Sequence, residues 1–182
     1  MTMRQTWVFV AVMAICLGIT GLAQTAVVLG NRLEPIWDME RLSALHGVRL
    51  TLHTPKLREV ALVHDAPWEG NVCCYHTVFQ DGPLYRMYYR GANWNKKATH
   101  REVVCYAESD DGIVWRKPDL GLVEFEGSKA NNIVWDQLGS HNFAPFHDNN
   151  PACPPDQKYK ALGGDGKGLV AFVSADGIRW RK

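Results

Sequence analysis

Two short stretches of this chain gather side chains that could do chemistry. HDAPWEG brings Asp65, Trp68 and Glu69 together, and HNFAPFHDNNP brings His141, Asn142, His147, Asp148 and Asn149 together. Carboxylates in such sets can serve as nucleophile, base or acid, and neighbouring imidazoles and amides can hold and orient a polar ligand. The concentration of polar groups from His141 to Asn149 is unlike a solvated loop. The plainer alternative is that Asp65 and Asp148 cap turns, as Asp side chains do for their own backbone.

Positioning such groups takes a scaffold, and the sequence points to one made of strands. From about Arg41 the chain becomes a succession of short runs, among them VRLTLHT, YHTVF, LYRMYYRG and EVVCYAES, in which apolar and polar residues partly alternate. That is the pattern of β-strands. Turn residues separate the runs at Asp81, Asp110 and Pro118. A helical turn or two is expected around Pro35 to Ala44, and the domain should otherwise be almost wholly β.

A repeat organises these runs. SDDGIVWRK at Ser109 to Lys117 returns 65 residues later as SADGIRWRK at Ser174 to Lys182. Upstream, LYRMYYRG matches KYKALGG and VVCYAES matches LVAFVSA. The unit reads as a meander whose second strand begins near Tyr85 or Tyr159, whose third ends at the Ser, and whose fourth starts at the Trp. In S-x-D-G-x-x-W the Asp can accept hydrogen bonds from amides of its own turn, the Gly can take a positive φ, and the Trp can bury a large ring between units. The motif is therefore expected to be structural. Four antiparallel strands repeated at this period describe a propeller blade.

The chain has 182 residues, 46% hydrophobic and 21% charged, enough for one globular domain with a core. Lys and Arg number 20 against 19 Asp and Glu, so no basic surface invites nucleic acid. Residues 1–23 carry Arg4, an uncharged run from Trp7, and small residues Gly21 and Ala23 at a cleavage-site spacing, which reads as a secretory signal peptide followed by a lead-in over 24–47. The alternative is a membrane anchor, because the uncharged run continues to Asn31. An exported chain, secreted or periplasmic, would meet an oxidising compartment, where Cys73, Cys74, Cys105 and Cys153 could form bridges or remain buried thiols. No CxxC or Cys/His spacing suggests a zinc site, and neither a metal nor a cofactor is expected.

The ordered motifs HDAPWEG, YHTVFQDG, YRMYYRG, CYAESDDGIVWRKPDLGLVEF, GSKANNIVW, HNFAPFHDNNP and YKALGG resemble the N-terminal part of secreted bacterial proteins in the five-bladed β-propeller glycoside hydrolase superfamily, which holds the invertase, levansucrase and arabinanase-type enzymes. The similarity spans about 48–182. The repeated turn is also similar to the Asp-box of sialidases, without their arginines and nucleophilic tyrosine.

The resemblance implies an all-β partial propeller acting on extracellular carbohydrate. Glycoside cleavage uses one carboxylate as nucleophile or base and another as proton donor. Asp65 is similar to the first-blade nucleophile or base, and Asp148 to the second-blade Asp that orients sugar hydroxyls, although His147 stands where the enzymes often have Arg. His141, Asn142, His147 and Asn149 are candidate substrate contacts, as is Trp68, which with Tyr89 and Trp94 could stack on a sugar ring or pack a blade. The family's proton donor is a third-blade Glu. Glu69 could be offered in its place but is expected to flank the first blade's entry. Two blades do not close a ring, so the chain is expected to be a fragment of a longer protein or to complete its ring by self-association. The rival expectation is a non-catalytic carbohydrate-binding or structural propeller module.

Overall fold

A computed structural model describes residues 30–31, 42, 44–95, 101–164 and 166–182. The chain divides into two compact units, Met1–Pro55 and Lys56–Lys182. The expected signal segment, its anchor alternative and nearly all of the expected helical turns near Pro35 lie outside the described residues. Among the described residues, no helix is long and apolar enough to cross a membrane.

Unit 2 is all-β. Its strands are β1 (Cys74–Asp81), β2 (Leu84–Gly91), β3 (Val103–Ser109), β4 (Ile133–Trp135), β5 (Ala144–His147), β6 (Tyr159–Gly164) and β7 (Leu169–Ser174). They form two antiparallel sheets, one of four strands in the order β1-β2-β3-β4 and one of three in the order β5-β6-β7.

The repeat is written into the register. Tyr85 faces Ser109 and Tyr159 faces Ser174, while single bridges join Glu108 to Arg116 and Val173 to Arg181. In both turns the Ser Oγ accepts from the Gly amide at 2.9 Å, and the Asp Oδ1 accepts from the next two amides at 2.7–2.8 Å. Gly112 and Gly177 share a φ of 76°, which a side chain would strain. Each Trp indole donates to the carbonyl of its Gly, at 3.2 Å for Trp115 and 3.0 Å for Trp180. Trp180 then packs edge-on against Tyr88 and Phe143 in the core between the sheets.

Two sequence expectations change. VRLTLHT lies in unit 1 as unpaired, exposed chain, because alternation supplies a face to a strand but not the neighbour that its amides must bond. The fourth strand does not start at Trp115. The chain there makes the Glu108–Arg116 bridge and leaves the sheet, and β4 forms only at Ile133 after Asn131 and Asn132 anchor the intervening loop.

Both faces of β2 and β3 are covered. Tyr88, Val104 and Tyr106 face the second sheet, while Met87, Tyr89, Val103, Cys105 and Ala107 face away, under Leu62, Trp68 and Trp115. That double burial explains the nearly continuous apolar run VVCYA. Cys73, Cys74, Cys105 and Cys153 are free thiols.

Candidate functional site

HDAPWEG closes over the outer face of the β1–β4 sheet. Pro67–Glu69 form a 3-10 turn, and the chain then runs against the end of β2, where the Ala92 amide donates to the Glu69 carbonyl at 3.0 Å. Gly70 and Gly91 permit this approach. A Cβ on Gly70 would lie 2.2 Å from the Ala92 carbonyl oxygen, and one on Gly91 would lie 2.5 Å from that of Trp68.

The turn buries Glu69 completely. Its carboxylate accepts from the Ala66 amide at 2.8 Å, from the Tyr89 hydroxyl at 2.6 Å and from Lys117 Nζ at 2.8 Å. Burial pushes the Glu69 pKa up, but the bonds from Lys117, Tyr89 and Ala66 outweigh it and leave the group below its usual value. Lys117 also donates to Asp65 Oδ1 at 3.0 Å. That bond and the lysine's charge lower the Asp65 pKa, so this 76%-exposed carboxylate stays ionised. Trp68 donates to Asn132 Oδ1 at 2.6 Å and packs edge-on against Phe125, so it is wedged beneath the turn.

Two histidines join the cluster. His64 Nδ1 lies 3.4 Å from Glu69 Oε1, and its Nε2 lies 3.0 Å from His76 Nε2. His76 stacks on Tyr89 with ring centroids 5.4 Å apart. Burial, then the neighbouring His64, lowers the His76 pKa, keeping that imidazole neutral at pH 7. His76 lies within an irregularity in β1 between Cys74 and Thr77, where Tyr75 adopts a φ of 58°. Such bulges re-aim side chains.

Tyr75 connects this cluster to a second one. The Arg90 guanidinium, 8% exposed, sits over the Tyr75 ring at 4.8 Å, donates to Cys74 Sγ and lies beside His141 and Glu102. His141 Nδ1 is 2.9 Å from both Arg90 Nη1 and Glu102 Oε2. Unprotonated, it accepts from the arginine, and protonated, it donates to the carboxylate. Arg90 Nε is buried without a hydrogen-bond partner. A cavity of about 630 Å³ opens here, lined by Glu102, Gln137, Ser140, His141, Asn142 and Gly164 among others. Asn142 Oδ1 accepts from the Gly164 amide at 2.5 Å.

The structure thus places Asp65 and Trp68 in the outer-face cluster and His141 and Asn142 at the start of β5. His147, Asp148 and Asn149 lie at the other end of that strand. Asp148 Oδ2 accepts from Lys160 Nζ at 2.5 Å, and this bond, with one from the Asn150 amide, lowers its pKa to about 2. His147 Nδ1 bonds Asn149 Oδ1 at 2.7 Å and lines a 460 Å³ cavity with Gln80 and Asp81. By register, Asp148 and Lys160 match Asp81 and Arg86, an ion pair at 2.7 Å in the first sheet. Asp65 and Asp148 are not brought together.

Reading the sequence for spacing missed His64, His76, Arg90, Glu102 and Lys117, which the fold gathers from distant positions. Lys117 carried one signal, as the last residue of the repeated turn. Compared with protein-family models, curated proteins and solved structures, the chain matches none.

Proposed function

We propose that the two sheets are consecutive blades of a β-propeller related to the five-bladed glycoside hydrolases, and that this exported protein binds or cleaves extracellular saccharides around Asp65. The observation that carries the reading is the exposed, ionised Asp65, fixed by Lys117 and backed by the buried Glu69. Such a carboxylate suits a nucleophile, a base or an acceptor for sugar hydroxyls. Trp94 is 81% exposed, its amide donates to Asn71 Oδ1 at 2.8 Å, and it offers a ring face for stacking near the same turn. The register of the repeat supports the blade reading.

A second reading has an observation of its own. Asp65, Glu69 and Asp148 are all held below the ordinary carboxylate pKa, whereas a proton donor needs the opposite shift. This favours a saccharide-binding role for this part of the chain. Titrating a panel of oligosaccharides by calorimetry, while following release of reducing ends, tests both readings. Saccharide binding that weakens in Trp94→Ala supports the site. Turnover lost in Asp65→Asn with binding retained assigns catalysis, and turnover undiminished in that variant removes it. If no saccharide binds, the proposal fails.

A further inference from the structure

We propose that His64 and His76 form a binding site for a divalent transition-metal ion, a reading independent of the saccharide proposal. Their Nε2 atoms face each other at 3.0 Å. Two nitrogens each about 2.0 Å from one ion stand about 2.8 Å apart at a right angle and about 3.3 Å apart at the tetrahedral angle, so the observed separation already suits both.

The surroundings match what such a ligand pair needs. His64 Nδ1 points to Glu69 Oε1 at 3.4 Å, and Glu69 is itself fixed by Tyr89, Lys117 and the Ala66 amide. A carboxylate that accepts the Nδ1 proton fixes the tautomer and leaves Nε2 as a lone-pair donor. His76 is held by stacking on Tyr89. Lys117 brings one positive charge against the carboxylates of Asp65 and Glu69, so the cluster keeps a net negative charge that favours a cation. Imidazole donors select copper, nickel or zinc over calcium or magnesium.

Without metal, His76 Nε2–H donates to His64 Nε2. On binding, His76 carries that proton on Nδ1 instead, and both Nε2 lone pairs reach the ion. Among the described residues no group of three or more His, Cys, Asp or Glu side chains converges as a metal set, so the remaining positions go to water.

Calorimetry of the full chain with Cu²⁺, Ni²⁺ and Zn²⁺ tests the site, with copper expected to bind most tightly. His64→Ala and His76→Ala should each abolish that binding, Glu69→Gln should weaken it roughly 10- to 100-fold, and His147→Ala should leave it unchanged. Electron paramagnetic resonance of the wild-type copper complex needs no variant and should show two imidazole nitrogens. Absence of saturable binding, one or no coordinated nitrogen, or binding that survives both histidine substitutions would overturn the proposal.

Discussion

The two sheets share a register and diverge at one place. At the end of β2 the first sheet carries Tyr89 and Arg90, while the matching positions at the end of β6 are Gly163 and Gly164. In the first sheet these large side chains hold Glu69, His76, Tyr75 and His141 in place. In the second sheet backbone fills the space at Gly163 and the Asn142 side chain fills it at Gly164. A Cβ on Gly163 would lie 2.3 Å from the Gly139 carbonyl oxygen, and one on Gly164 would lie 2.9 Å from Asn142 Oδ1. His76, just before Thr77 of β1, is matched by Phe143, just before Ala144 of β5, which is buried against Phe172 and Trp180. The same meander therefore builds a polar cluster in one copy and a packed seam in the other. The repeat sets the scaffold, and substitutions at a few strand ends decide where a site can form.

That contrast can be broken by mutation. The largest effect is expected at the seam. Trp180→Ala should cost about 3 to 5 kcal/mol in denaturant unfolding, since the ring is fully packed, and the partly exposed Trp115→Ala should cost clearly less. Equal losses would mean that the two turns are used alike. In the polar cluster, Glu69→Ala leaves the buried Tyr89 hydroxyl without its acceptor and Lys117 paired with Asp65 alone, and should cost about 3 kcal/mol, read in the same way.

A smaller effect tests the glycine end. Gly163→Ala should cost about 1 to 3 kcal/mol because backbone occupies the new Cβ position. Gly168→Ala, where an added Cβ would meet nothing within 4 Å, should stay within about 0.5 kcal/mol. A harmless Gly163→Ala would remove the argument that backbone closes this end.

The smallest expected effect is a pH dependence. Asp148 has a folded pKa of about 2 against an ordinary 3.8, so its contribution is fully present above about pH 4. It is lost as the pH falls through the folded value. The wild-type and Asp148→Asn proteins should therefore differ in thermal midpoint above pH 4 and converge near pH 2. A difference unchanged across that range would contradict the Lys160 pairing.

The strand runs and the repeated turn were legible because their signals are local. Short strand-type runs bounded by turn residues mark β1 to β3, and Ser109, Asp111, Gly112 and Trp115 close a hydrogen-bonded turn within seven residues. The fourth strand was not legible, since Ile133–Trp135 joins the sheet through a loop anchored by Asn131 and Asn132. The sites were legible only in part. His141 stands out by composition and Asp65 through the family resemblance, but the partners that give them a setting, Arg90 and Lys117, lie 51 and 52 residues away in the chain. Asp148 stands out equally in sequence, and only the register reveals Asp81 and Arg86 as the counterparts of its ion pair.

The most direct measurement compares Asp65→Asn with Asp148→Asn in calorimetric titration with one saccharide that the wild-type protein binds. The account predicts that Asp65→Asn changes binding or turnover, while Asp148→Asn leaves both unchanged at pH 7. Loss confined to Asp148→Asn, with the fold intact, would contradict the account and move the site to the far end of β5.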